Sequence, residues 1–175
     1  MPERFAKLLR RHAEELVRAW ADEIYEDRRT DLASLLTFRE LVEYVPEILD
    51  ELARVLDERG GPFEAGEAAS RLRHYFRTRF YQGALIDEVA RELMLLRATL
   101  NDFLWGEAAG VFEGDTRRLR ETLRRANTFF DELVAEAIVV YAVSLRPVVS
   151  TRGSVWPPPR RRRRGAPEAE REEGE

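Results

Sequence analysis

Apolar residues spaced at threes and fours recur through almost all of the first 145 residues of this chain. That spacing lines one face of an α-helix and leaves no room for the alternation of a strand. Phe5, Leu8, Leu9, Leu16, Val17, Trp20 and Ile24 predict a first helix over about 2–27. Leu32, Leu35, Leu36 and Phe38 follow in a shorter, less regular piece. Leu41, Val45, Ile48, Leu49, Leu52, Val55 and Leu56 predict a second helix over about 38–59, with a break near 44–46 because Pro46 interrupts it. Gly60, Gly61 and Pro62 stop that helix. A third helix over about 64–81 turns Ala68, Leu72, Tyr75, Phe76 and Phe80 inward. Gly83 separates it from a fourth over about 84–109, with Leu85, Ile86, Val89, Leu93, Leu96, Leu100, Phe103 and Leu104 inward. A fifth, capped by Asp115 or Thr116, runs to about 145 with Leu119, Leu123, Ala126, Phe130, Leu133, Ala137, Ile138 and Tyr141 inward. The expected fold is all-α, a bundle of about five helices.

Composition changes after the fifth helix. Two regions are expected: a helical domain over 1–147 and a disordered tail over 148–175, rich in Pro, Arg and Glu. From Thr151 the tail holds seven arginines and five glutamates, a net of +2. The chain's −4 therefore leaves −6 on the rest, which argues against nucleic-acid binding by the bundle itself. Arg160, Arg161, Arg162, Arg163 and Arg164 form a run that can contact phosphates without reading sequence, and a polyanion-binding accessory role is the alternative it supports. Of 29 basic residues 28 are arginine, which fits either a GC-rich genome or a thermophile.

Several function classes fall away. The chain has no cysteine, so disulfides, thiolate metal sites and cysteine nucleophiles are excluded. It has two histidines, His12 and His74, little material for histidine-based catalysis; either could in principle ligate haem between helices, the third and weakest alternative. No phosphate-binding glycine loop, HExxH or nucleophile elbow is present. The adjacent acids Asp22-Glu23, Asp50-Glu51, Asp87-Glu88 and Asp131-Glu132 point about 100° apart on a helix, so they do not converge as an acid/base pair. No enzyme activity, cofactor or metal is expected. The most apolar stretch, 135–145, contains Glu136 and falls short of the ~20 residues a membrane span needs. With no apolar leader at the N-terminus, a cytoplasmic protein is expected.

The most informative feature is charge placed on the apolar stripes. Arg79 follows Phe76 and Tyr75 by three and four residues; Glu92 precedes Leu96 by four; Arg97 lies between Leu93 and Leu100. Burying such charges requires pairing, so a polar cluster of Arg79, Glu92 and Arg97 is expected, with Glu92 shared by both arginines. Reach allows Arg79 a second partner, Glu88, at the start of the fourth helix. His74, Tyr75 and Trp20 are candidates for a ligand or partner surface. Phe129, Val134, Val139, Val140 and Val143 make the fifth helix apolar around most of its circumference, which predicts a homodimer through the first or fifth helix.

The string Arg79-x-x-x-Gly83, followed by Glu92-x-x-x-Leu96-Arg97, resembles the core of the RsbRD-type N-terminal domain. Trp20 with Ile24, Val45-Pro46-x-Ile48-Leu49-x-x-Leu52, and Phe130-Asp131 through Tyr141 extend the resemblance over about 5–143. Where that family has a histidine four residues before the arginine, this chain has Tyr75, with His74 one step away. The resemblance implies a non-catalytic regulatory domain, a sensor or co-antagonist in stress or two-component signalling, with a protein partner. It also implies a globin-like helical fold without haem, often dimeric.

Overall fold

The computed structural model describes residues 3–57, 62–111 and 116–145. Every regular element in them is helical: α1 (Glu3–Arg11), α2 (Ala13–Glu26), α3 (Leu32–Leu35), α4 (Phe38–Val42), α5 (Val45–Asp57), α6 (Pro62–Arg71), α7 (Arg73–Tyr81), α8 (Ile86–Val111) and α9 (Thr116–Ser144). Grouped by continuity, these make five long rods and the short α3. The fold is an all-α bundle. The tail over 148–175 lies outside the described residues.

α9 is the rod on which the others assemble. α5, α6, α7 and α8 lie against it, while α2 packs on α8 and α1 on α5. The core they enclose includes Leu9, Leu16, Trp20, Leu52, Leu72, Phe76, Leu100 and Phe129, all essentially without solvent contact. Each fully buried large apolar side chain contributes roughly 1.5–3 kcal/mol. Arg125, from α9, donates to the carbonyls of Val55 and Leu56 at the end of α5, where a helix leaves acceptors unfilled.

The interruptions have different origins. α4 starts on a capping box: Thr37 accepts from the Glu40 amide at 3.3 Å, and Glu40 accepts from the Thr37 amide at 2.9 Å. It ends at Glu43 and Tyr44, and Pro46 then sits in the first turn of α5, where its missing N–H costs nothing. α7 ends in a Schellman motif. Gly83 adopts φ 86°, its amide donates to Phe80, and the Ala84 amide donates back to Arg79, both at 3.0 Å. A side-chain-bearing residue would be strained at that φ.

Two further breaks correct the expectation of continuous first and third helices. His12 (φ −103°, ψ 11°) separates α1 from α2, and Leu72 (φ −91°, ψ 12°) separates α6 from α7. At Leu72 the bonds tighten to i→i−3: Leu72 donates to Ala69 at 3.0 Å and Tyr75 to Leu72 at 3.1 Å. Neither break contains Gly or Pro. Ala69, Leu72 and Phe76 stay buried through the step, so packing onto the core sets the bend. The inward rows also need two corrections. Leu85 and Ile138, expected inside, are 47% and 53% exposed, whereas Phe129, placed beside the row, is fully buried.

Candidate functional site

Arg79 is the largest fully buried charged side chain among the described residues. It rises from α7 and meets Glu92 of α8, whose side chain is only 4% exposed. All five guanidinium donors are used. Nε donates to Glu92 Oε2 at 3.0 Å, and Nη2 donates to Glu92 Oε1 at 2.7 Å and to the Leu41 carbonyl at 2.8 Å. Nη1 donates to the Glu40 carbonyl at 3.0 Å and to Gln82 Oε1 at 2.9 Å. The two carbonyls come from the last turn of α4, so one side chain joins α4, α7 and α8. α2 enters through Trp20, whose indole Nε1 donates to the Glu92 carbonyl at 3.1 Å.

A charge pair out of water is tolerated only when its hydrogen bonds are complete and well aimed. Aromatic rings supply the remaining walls. The guanidinium carbon lies 5.2 Å from the centre of the Tyr75 ring and 6.0 Å from that of Tyr44, within range of cation–π attraction. Burial alone would lower the Arg79 pKa, but the Glu92 carboxylate and the Tyr75 phenol beside it raise it above its ordinary value, so the cation persists. The Tyr75 hydroxyl is pushed up by its own burial and then by the Glu92 charge. It is fully buried with no hydrogen-bond partner among the described residues. Nearby, burial raises the Tyr141 phenol as well, and that hydroxyl donates to the Ala84 carbonyl at 2.9 Å.

The other expected site residues fall elsewhere. Arg97 is not in the cluster: it is one-third exposed and pairs with Asp131 at 3.0 Å on the outside. Five residues from Glu92, it is turned about 140° around α8 from the acid it was expected to share. Glu92 therefore serves one arginine. A carboxylate that two arginines do share is Glu51, 6% exposed, which accepts from Arg54 at 3.0 Å and from Arg71 at 2.9 and 2.7 Å. Glu88 does not take Arg79 either. It accepts from the Leu85 amide at 2.8 Å, closing the start of α8, and from the Asp31 amide at 3.0 Å.

Trp20 and Tyr75 are core residues and present no surface, because their rings fill the volume around Arg79 and Glu92. His74 is half exposed, with Nδ1 against the Arg71 carbonyl at 3.1 Å and Nε2 against Glu47 at 2.9 Å. His12 pairs with Glu15 at 2.9 Å and packs on Phe103. Among the described residues no group of His, Asp and Glu comes together to hold a metal ion, and no helix is long and apolar enough to cross a membrane. Arg160, Arg161, Arg162, Arg163 and Arg164 lie outside the described residues.

Sequence reasoning missed Gln82 and the α4 carbonyls. Gln82 had a signal: it is the chain's single glutamine, three residues after Arg79 and next to Gly83. The carbonyls had an indirect one, because the break expected before Pro46 places the end of a helix close to where Arg79 arrives.

Residues 5–155 match the family described as the RsbT co-antagonist protein RsbRD N-terminal domain. The chain belongs to this family. No curated protein and no solved structure shows a significant match. Within this RsbRD N-terminal domain the matched span contains Arg79, Glu92, Gln82, Trp20 and Tyr75, and it runs past residue 147.

Proposed function

We propose that this chain is a non-catalytic regulatory domain of bacterial signal transduction, of the sensor or co-antagonist type, working through protein contact in the cytoplasm. The observation that supports this most is membership of a family described by a co-antagonist protein's N-terminal domain. The geometry is consistent with it. The most elaborate polar centre is sealed in the core, where a substrate has no access, and its bonds join four helices.

The reading extends to a homodimer through α9. Ile138, Val139 and Val143 are 53%, 51% and 56% exposed, and Ala135, Ala142 and Leu145 share the same arc of the helix. From 135 to 145 this arc carries no charge, with Asp131 and Glu132 bounding it one turn earlier, and the opposite side of α9 is already committed to the core through Ala137, Val140 and Tyr141. An apolar face of this kind on a charged surface fits a second apolar face. Sedimentation at tens of micromolar, a range of weak dimers (about −6 to −7 kcal/mol), is expected to show a dimer. Val139→Glu with Val143→Glu is expected to give monomer with unchanged helicity. A wild-type monomer throughout this range contradicts the dimer, and the regulatory reading then rests on a foreign partner.

A further inference from the structure

A groove of about 350 Å³ runs along the seam where α2 packs on α8. Its floor is apolar, formed by Leu16, Ala19, Leu95 and Phe103, and its rim is acidic, formed by Glu15, Glu23 and Asp102. No lysine or arginine lines it. Glu15 is engaged by His12, while no ion pair joins Glu23 or Asp102 to a cation among the described residues. We propose that the chain's own Arg160–Arg164 run docks in this groove, covering its apolar floor with arginine stems and meeting its acidic rim with guanidinium groups.

Three observations favour this occupant. The first is chemical. Arginine combines a three-carbon apolar stem with a charged head that stacks on rings and pairs with carboxylates, which suits a greasy floor under an acidic edge. Phe103 supplies the ring. The second is charge: five consecutive cations meet a rim of three acids on a bundle carrying −6. The third is reach. The end of α9 lies beside the start of α8, where Tyr141 bonds the Ala84 carbonyl at 2.9 Å. The groove begins about 17 Å along α8 from Ala84, at Leu95, and ends about 29 Å along, at Phe103. Fourteen residues separate Leu145 from Arg160, and the chain between the two spans up to about 50 Å when extended. The run therefore reaches the whole groove with slack.

The glutamates from Glu168 onward compete for the same arginines, so the docking is weak and salt-sensitive. A polyanion that captures the run empties the groove, which makes this a regulatory contact between the tail and the face formed by α2 and α8.

The chain has no cysteine, so Gly165→Cys gives a single spin-label position next to the run. In the full-length labelled protein, amide NMR signals over 15–23 and 95–103 are expected to lose most of their intensity. The loss is expected to disappear in about 0.5 M NaCl, where the screening length is a few ångströms. It is also expected to disappear in Glu23→Lys with Asp102→Lys, and to shrink at least twofold in the milder Glu23→Gln with Asp102→Asn. Both pairs lie on the surface, and circular dichroism checks that each still folds. Losses spread evenly over the molecule, centred on 138–145, or unchanged by the charge-reversing pair overturn the proposal. Losses that persist when labelled chain is mixed with unlabelled reporter chain place the run on a second copy and overturn docking in cis.

Discussion

Glu92 and Glu51 are both buried carboxylates held by arginine, at 3% and 6% exposure, yet their surroundings differ. Glu92 faces Arg79, whose side chain has no solvent contact. Glu51 faces Arg54 and Arg71, whose side chains are 56% and 48% exposed. If Glu51 is lost, both cations can turn back to water. If Glu92 is lost, Arg79 remains charged inside the core. Burial of the acid is thus a poor guide to what an ion pair contributes; what decides is whether its partner can be rehydrated.

That contrast orders the expected effects. Glu92→Ala is expected to cost about 3–5 kcal/mol, the range for stranding one member of a buried pair, measured by urea unfolding. Trp20→Phe removes the indole donor to the Glu92 carbonyl and leaves unfilled volume, and about 2 kcal/mol is expected from those two losses together. Glu51→Ala is expected near 1 kcal/mol, since two half-exposed arginines recover hydration. If it instead matches Glu92→Ala, the comparison fails. Arg97→Ala, on the outer face of α8, is expected below about 0.5 kcal/mol.

The smallest effect concerns acid. The Arg29 side chain and then its backbone N–H hold the Asp27 carboxyl down at about 2, against an ordinary 3.8. A depressed folded pKa stabilises above the unfolded value, and the gain is lost as pH falls through the folded one. Between pH 3.8 and about 2 the wild-type melting temperature is therefore expected to fall more steeply than that of Asp27→Asn. Equal slopes remove Asp27 from the acid response.

The rods were legible because a buried face of a helix must repeat every 3.6 residues, and because Pro46 and Gly83 mark their own interruptions. The breaks at His12 and Leu72 were not legible, since ordinary residues make them under packing forces from distant segments. The site divides in the same way. Arg79 and Glu92 stand out because charge on an apolar stripe demands a partner. Arg97 stood at the edge of its stripe, and periodicity cannot separate an edge residue that turns out from one that turns in. Glu51 was hidden for a related reason: its second arginine comes from α6, twenty residues on. Trp20 and Tyr75, as aromatic residues, suit either a surface or a core, and only the neighbouring Arg79 settles which.

The central claim is that Arg79 and Glu92 stabilise the bundle as one unit. A double-mutant cycle with Arg79→Met and Glu92→Leu tests it most directly, with unfolding free energies measured for both single variants and the double. If the two act as a unit, each single variant strands a buried charge, and the double, with neither charge left, loses less than the two singles combined. The predicted coupling is about 2 kcal/mol or more, towards the upper part of the range for contacting residues. Losses that add to within about 0.5 kcal/mol, as they do for independent sites, would contradict the account.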